Sequence, residues 1–493
     1  MPEPDSPQPA RPIARALALL VVLVFTGCAT TSDPAGDTEP PVFVDEPLPP
    51  VEEPAVHREP AAADAGPEAE IPLSALQPEP QEATADALPE VLVKGLFRDR
   101  HEVIHDHVAE AQALLRDVAL EYVFTGKGRR ETLRGRPVAF ALWSEVKQEW
   151  IIAHIEIPRP PVRWRPGRRP LHVTVRTPGI KARHVKGTGA ERLMFAFSRG
   201  GESLKVYGRK FPVFDNALVR KRQWRAVTET ARPIVYLPYT DDTLDPGFVR
   251  GGRDFLLSEA RKAGNELRAA QVPSQAFPEE LLADVIPVEV ITTLAVIEQT
   301  DDFDFRESGG AAFDQVLNQY GLERQQAYRY SVSGAAALGP MQFTNRRGNG
   351  TYALVVRRCR GANLDPNFER GATNLRNAMK AAICLLDIEL SQMPSDIRLA
   401  YRGNPTVLGI FPVAAYNGGP RNVAKLHRAL GRMRVPVEQL RRPGEQPPGK
   451  PVPCPCVWQD TGTGIVRPVT IPRYNNENRW YLEKYQSILD LFE

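Results

Sequence analysis

The chain has 493 residues, 42% of them hydrophobic and 25% charged, with a formal net charge of +2. That length suits about two or three domains, and that apolar share excludes a wholly disordered chain. Five cysteines are too few for a fold held mainly by disulfides.

The first 28 residues read as a targeting segment. Arg11 and Arg15 precede an apolar run, residues 16–25, that is too short for an ordinary membrane-spanning helix. Thr26, Gly27 and Cys28 follow. Small residues ahead of a cysteine at the end of an apolar run resemble the lipobox of bacterial lipoproteins, although Phe25 stands where Leu or Val is usual. The resemblance implies lipidation of Cys28, which would tie the mature chain to a membrane. Ala29 in place of Asp implies sorting to the outer membrane, on its periplasmic side. An ordinary signal peptide with an incidental cysteine is the alternative.

Residues 29–90 read as a disordered linker rich in Pro and acid. Between 31 and 90 there are 13 Pro and one base, Arg58, against 15 acids, a net of −14. Such a composition buries no core, and at about 3.1 Å per residue it reaches at most ~190 Å. Residues 1–30 are neutral, so residues 91–493 carry +16. A basic folded part is drawn to an anionic polymer or membrane surface. Export argues against nucleic acid, and no recognition motif for it is present.

Residues 91–245 predict a basic α+β accessory domain. Val103, Ile104, Val108, Ala111, Leu115 and Val118 recur with helical spacing within residues 97–123. Strand-like runs follow at 137–143, 150–157, 171–175, 192–197 and 204–211, separated by Pro, Gly and Arg. Arg163, Arg165, Arg168, Arg169, Arg220, Arg222 and Arg225 interleave with Trp164 and Trp224. Such a mixture could bind sugars and carboxylates. A solvated basic surface is the plainer reading. His101-Glu102-Val103-Ile104-His105 fits H-E-x-x-H, a zinc pattern when it lies on a helix inside a folded lobe, with Glu121 as a conceivable third ligand. Only the linker precedes it, so the expectation is an exposed polar face and no metal site.

Residues 246–493 turn helical, with amphipathic or apolar runs at 255–269, 279–297, 371–393 and 481–492. Four short motifs lie here. Ser333, Gly339, Met341 and Gln342 form the first, and Asp365-Pro366-Asn367-Phe368 with Gly371 and Leu375 the second. Ala415-Tyr416-Asn417-Gly418-Gly419 is the third and Glu477-Asn478-Arg479-Trp480-Tyr481 the fourth, with Asn478 where Thr is usual. In this order and spacing the set resembles the lytic transglycosylases, of the soluble lytic transglycosylase and goose-lysozyme-like type. The match covers roughly residues 285–490.

The resemblance implies a mostly α, lysozyme-like catalytic domain at the C-terminus that cuts the MurNAc–GlcNAc bond of peptidoglycan without water, leaving 1,6-anhydro-MurNAc ends. It implies no cofactor and no metal, with peptidoglycan glycan strands as partner. One carboxylic acid serves as acid and then as base, and an apolar setting must keep it protonated at the start. By the same resemblance Ser333 and Gln342 hydrogen-bond the saccharide, Tyr416 lies by the acid and helps hold the sugar or the Glu, and Asn417 binds nearby or shapes the turn. Glu298, directly after the apolar run 294–297, is the preferred acid. Strict alignment falls on Thr300, and Glu307 and Asp301 stay open. A catalytically inactive wall-binding scaffold and a hydrolytic muramidase are the alternatives. Cys359, Cys384, Cys454 and Cys456 remain after lipidation, and their pairing is open.

Overall fold

The computed structural model describes residues 99–158, 171–187, 193–215, 218–219, 221–237, 240–333, 336–345, 349–433, 440–441, 458–460, 466–468 and 476–492. Residues from Arg100 onward belong to one compact unit, and Thr31–Asp99 form another, of which only Asp99 is described. Cys28, the acidic linker, Arg163, Trp164, Arg165, Arg168, Arg169, Arg220, Cys454 and Cys456 lie outside the described residues. Among the described residues no helix is long and apolar enough to cross a membrane.

The architecture is α+β: a β-rich region, then a mostly helical one. Helix α1 (Arg100–Arg116) opens the first region, followed by a small ribbon of β1 (Phe124–Thr125) and β2 (Thr132–Leu133). A seven-stranded antiparallel sheet follows, in the order β5-β4-β3-β8-β7-β6 with β9 also paired to β8. Its strands are β3 (Gly135–Ser144), β4 (Glu149–Pro158), β5 (Thr174–Val175), β6 (Ile180–Lys186), β7 (Met194–Arg199), β8 (Glu202–Val213) and β9 (Arg232–Tyr236). Helix α2 (Trp224–Glu229) lies between β8 and β9. The outer strands β5 and β6 come side by side, so the sheet is nearly a closed barrel.

The two-residue period of β3 divides its side chains between two cores. Val138, Phe140 and Leu142 pack with Ile155, Phe195, Phe197 and Val206, whereas Ala139 and Ala141 pack on Ile104, Val108, Ala111 and Leu115 of α1. Bare backbone at Gly208 lets α1 lie close, since a Cβ there would sit 2.9 Å from the Leu115 side chain. Strands β6 and β9 were not expected from the sequence. Only Ile180 and His184 are buried along β6, and β9 begins Arg-Pro, so neither shows a strong apolar alternation.

In the helical region α3 (Pro246–Ala269) starts behind Asp245, whose carboxylate accepts from Gly247 N at 2.8 Å, with Pro246 in the first turn. Then come α4 (Leu282–Val285), α5 (Val288–Ile297), α6 (Asp302–Ser308) and α7 (Ala311–Glu323). The single run expected at 279–297 is broken before α5 because Pro287, the residue ahead of its first turn, cannot continue a helical hydrogen-bond ladder. Helices α3 and α7 cross backbone to backbone. A Cβ on Gly252 would lie 1.8 Å from Leu317 O, and one on Gly321 2.1 Å from Phe248 O.

The remaining helices are α8 (Thr351–Arg358), α9 (Phe368–Thr373), α10 (Leu375–Ser391), α11 (Ser395–Gly403), α12 (Pro405–Leu408), α13 (Ile410–Gly418), α14 (Pro420–Met433) and α15 (Asn476–Ile488). The expected run at 371–393 is two helices, because Asn374 is extended and its side chain caps Asn377 N. Helix α10 is apolar nearly all round and forms the centre of the core. The Cys359–Cys384 disulfide joins it to the end of α8, settling a pairing that the sequence left open.

Buried polar groups of α7 join the two regions. Glu323 accepts from Leu237 N at 2.5 Å, and Gln319 Nε2 donates to Leu237 O at 2.8 Å. Asn318 Oδ1 accepts from Asp245 N at 3.0 Å, and its Nδ2 donates to Thr243 O at 3.0 Å.

Candidate active site

Helix α5 is buried along its whole length from Val290 to Ile297. Each aliphatic side chain there contributes about 1.5–3 kcal/mol by leaving water, so the end of α5 is rigidly held. Glu298 caps that end, half-buried. The Tyr481 hydroxyl of α15 donates to Glu298 Oε1. The next residue, Gln299, is 3% exposed, and its Nε2 donates to Pro340 O at 2.9 Å and Gly339 O at 3.2 Å. The helix end is thereby bonded to the loop that carries the first motif.

That loop is closed by its own residues. Ser333 N donates to Ala337 O at 3.0 Å, and Ser333 Oγ accepts from Ala337 N at 3.1 Å. Gly339 has φ +81°, and a Cβ there would lie 1.9 Å from Ala372 O, so only glycine fits. Gln342 is buried, and its amide nitrogen donates to Gly339 O at 2.8 Å and Ser331 O at 3.3 Å. The Gln342 amide N–H groups thus brace the loop, whereas the resemblance implied a hydrogen bond to saccharide.

Helix α13 delivers Tyr416 to the same place, where its hydroxyl donates to Met341 O at 2.6 Å. Asn417 is half-buried in the last turn. The two glycines after it have separate reasons. A Cβ on Gly418 would strike the Asn422 side-chain amide at 1.6 Å, and Gly419 takes φ +73° to turn the chain into α14. Asn422 Nδ2 in turn donates to Asn478 Oδ1 at 2.5 Å, which ties α14 to α15.

Glu477, Tyr481 and Lys484 lie along one stripe of α15, at steps of four and three residues. Lys484 is buried and donates to Thr300 O at 2.6 Å and Asp302 Oδ1 at 2.5 Å. Burial and the nearby Asp302 charge push the Glu477 carboxyl up to about 7, with Lys484 opposing. Burial, followed by Tyr328 and Glu298, raises the Tyr320 hydroxyl well above its usual range.

Of the carboxylates left open by the sequence, Asp301 is occupied as the cap of α6, accepting from Phe303 N at 2.8 Å. Glu307 is exposed on α6. Glu298 alone combines a buried supporting helix with a direct bond to another motif. The fourth motif alone gives Tyr481 no role; its signal in the sequence is the E-x-x-x-Y-x-x-K stripe.

The other segments singled out in the sequence have structural partners. His101 stacks on Phe248 at 3.8 Å and contacts Asp245 at 3.3 Å, and the His105 side chain is 70% exposed beside Asp106. Among the described residues no group of three or more His, Cys, Asp or Glu side chains is placed to hold a metal ion. Trp224 is buried in a small core with Leu133 and Val227, so it offers no ring to a sugar. Arg225 pairs with Glu131 at 2.7 Å and lies over Phe124. Asp365 pairs with Arg370 and accepts from Asn367 N at 2.9 Å, so the second motif starts a helix. No family model, no curated protein and no solved structure matches this chain.

Proposed function

We propose that the chain is a peptidoglycan lytic transglycosylase with a lysozyme-like helical domain, exported and held at the outer membrane through lipidated Cys28. The observation that carries this reading is the joining of Glu298, at the end of a helix buried from Val290 to Ile297, to the first and fourth motifs through Gln299 and Tyr481. The Cys359–Cys384 disulfide supports an oxidising compartment outside the cytoplasm.

In this reaction the Glu298 carboxylic acid gives its proton to the glycosidic oxygen between MurNAc and GlcNAc, and the C1–O bond breaks. The resulting carboxylate takes the proton of the MurNAc 6-hydroxyl, whose oxygen bonds to C1. Glu298 ends protonated again, and no water is consumed. Of the carboxyls around it, Asp301 and Asp302 are engaged by the α6 cap and by Lys484, and Glu477 lies on the stripe of α15 that carries Tyr481.

Digestion of purified sacculi followed by mass spectrometry of the products tests the reading. Anhydro-muropeptides, abolished in a folded Glu298→Gln variant, are the expected result, with a loss of about 10²-fold or more. Reducing ends would identify a hydrolytic muramidase, and an absence of products a wall-binding scaffold. Either outcome overturns the proposal.

A further inference from the structure

A concave site whose lining does not include Glu298 lies elsewhere in the helical region. It is a cleft of about 940 Å³ between the segment after α7, the end of α3 and the start of α10, and it contains none of the residues placed at the candidate active site. Its wall carries Arg329, Arg370, Arg376 and Lys380, with Glu266 and Asp365. Three of the four cations are matched within the protein. Arg370 pairs with Asp365 at 2.9 Å, Arg376 with Glu259 at 2.8 Å, and Lys380 with Glu266 at 2.8 Å.

Arg329 is different. Its Nη1 donates to Gln326 Oε1 at 3.1 Å and its guanidinium lies 5.4 Å from the Tyr330 ring centre, but no carboxylate pairs with it among the described residues. Its Nε is buried and without a hydrogen-bond partner. A buried donor left unmade costs about 1–3 kcal/mol. Among the described residues the cleft therefore holds one guanidinium charge that no carboxylate matches, inside a volume typical of ligand pockets.

We propose that this cleft binds a short peptide through its free carboxylate, with Arg329 as the anchor. A guanidinium meets a carboxylate with two parallel hydrogen bonds. The first turn of α10, capped by Asn374 on Asn377 N at 2.9 Å, lines the same space and adds the positive end of a long helix. The rest of the wall suits peptide better than a bare anion. Asn363 and the amide nitrogens of Gln326 and Asn374 line the wall as groups that suit the polar atoms of a peptide backbone, and the acids of the wall disfavour a multiply charged ion. The inference stands on the cleft alone and is independent of the role of Glu298.

Calorimetric titration of the full-length protein tests it, using the tetrapeptide Ala-Gln-Lys-Ala with a free C-terminal carboxylate, the same peptide as its C-terminal amide, and inorganic phosphate. The expected result is saturable one-site binding of the free acid, weakened about tenfold or more by amidation and by Arg329→Gln. Arg329→Lys, which keeps the charge but not the planar fork, falls between. Both variants keep the parent melting profile and the parent activity on sacculi. The proposal is overturned if the free acid does not bind, if the amide or phosphate binds equally well, or if Arg329→Gln retains full affinity.

Discussion

The Tyr481 hydroxyl donates its hydrogen bond to Glu298, linking the last helix of the chain to the end of a helix some 180 residues earlier (a separation of 183). A bond to the ionised carboxylate favours that form. Tyr481→Phe removes it and makes the protonated acid easier to keep. Because the proposed reaction begins from the protonated acid, the alkaline limb of kcat/KM on glycan strands should move to higher pH. A profile unmoved by the substitution would separate Tyr481 from the chemistry.

Gly339→Ala tests the loop that Gln299 grips. The new methyl group would overlap Ala372 O in a left-handed backbone conformation, so neither a side-chain shift nor a rotamer change relieves it. We expect a loss of about 2–4 kcal/mol in urea unfolding. Glycan cleavage by the remaining folded fraction should also fall, because the loop is bonded to Gln299, the neighbour of Glu298. Unchanged stability would contradict the close approach of the loop to α9.

The Cys359–Cys384 bridge closes a loop with a sequence separation of 25. Loop-closure entropy assigns such a link about 3 kcal/mol. The paired Cys359→Ser and Cys384→Ser variant should therefore unfold at lower denaturant, and reducing agent should shift the parent protein to the same midpoint. A parent midpoint indifferent to reductant would exclude the bridge.

Glu389 supplies a pH dependence with a definite sign. Burial pushes its carboxyl from 4.5 up to about 7, against the pull of Arg358. The folded state thus holds this proton more tightly than the unfolded chain does. The stability it contributes is fully present below pH 4.5 and is lost as pH rises to about 7. Glu477, also raised to about 7, acts in the same direction. Glu389→Gln should flatten this slope and gain about 1–2 kcal/mol at pH 8 with no gain near pH 4. Urea midpoints across that range decide the matter, and an equal effect at both ends would disprove the assignment.

Strong periodicity made much of the fold legible. Strands β3, β4 and β8 and helices α3, α5 and α10 lie where apolar spacing puts them. Helix α7 escaped for a physical reason. Its inward face carries Asn318, Gln319 and Glu323, buried residues that bond to the β-rich region and look like surface in one dimension. The site was legible in part. The position of Glu298 follows from the apolar run before it, while the duties of Gln342 and Gln299 depend on loop carbonyls that become partners only after folding.

The same α7 contacts have a mechanical consequence. Leu237, one residue beyond the end of β9, donates its backbone N–H to Glu323 and accepts at its C=O from Gln319. The sheet is thereby bonded to α7, and α7 lies directly against α3 at the bare crossing of Gly252 and Gly321. Removing the Gln319 and Glu323 side chains would loosen the sheet from the helical core at Leu237 while the Asn318 bonds stay in place.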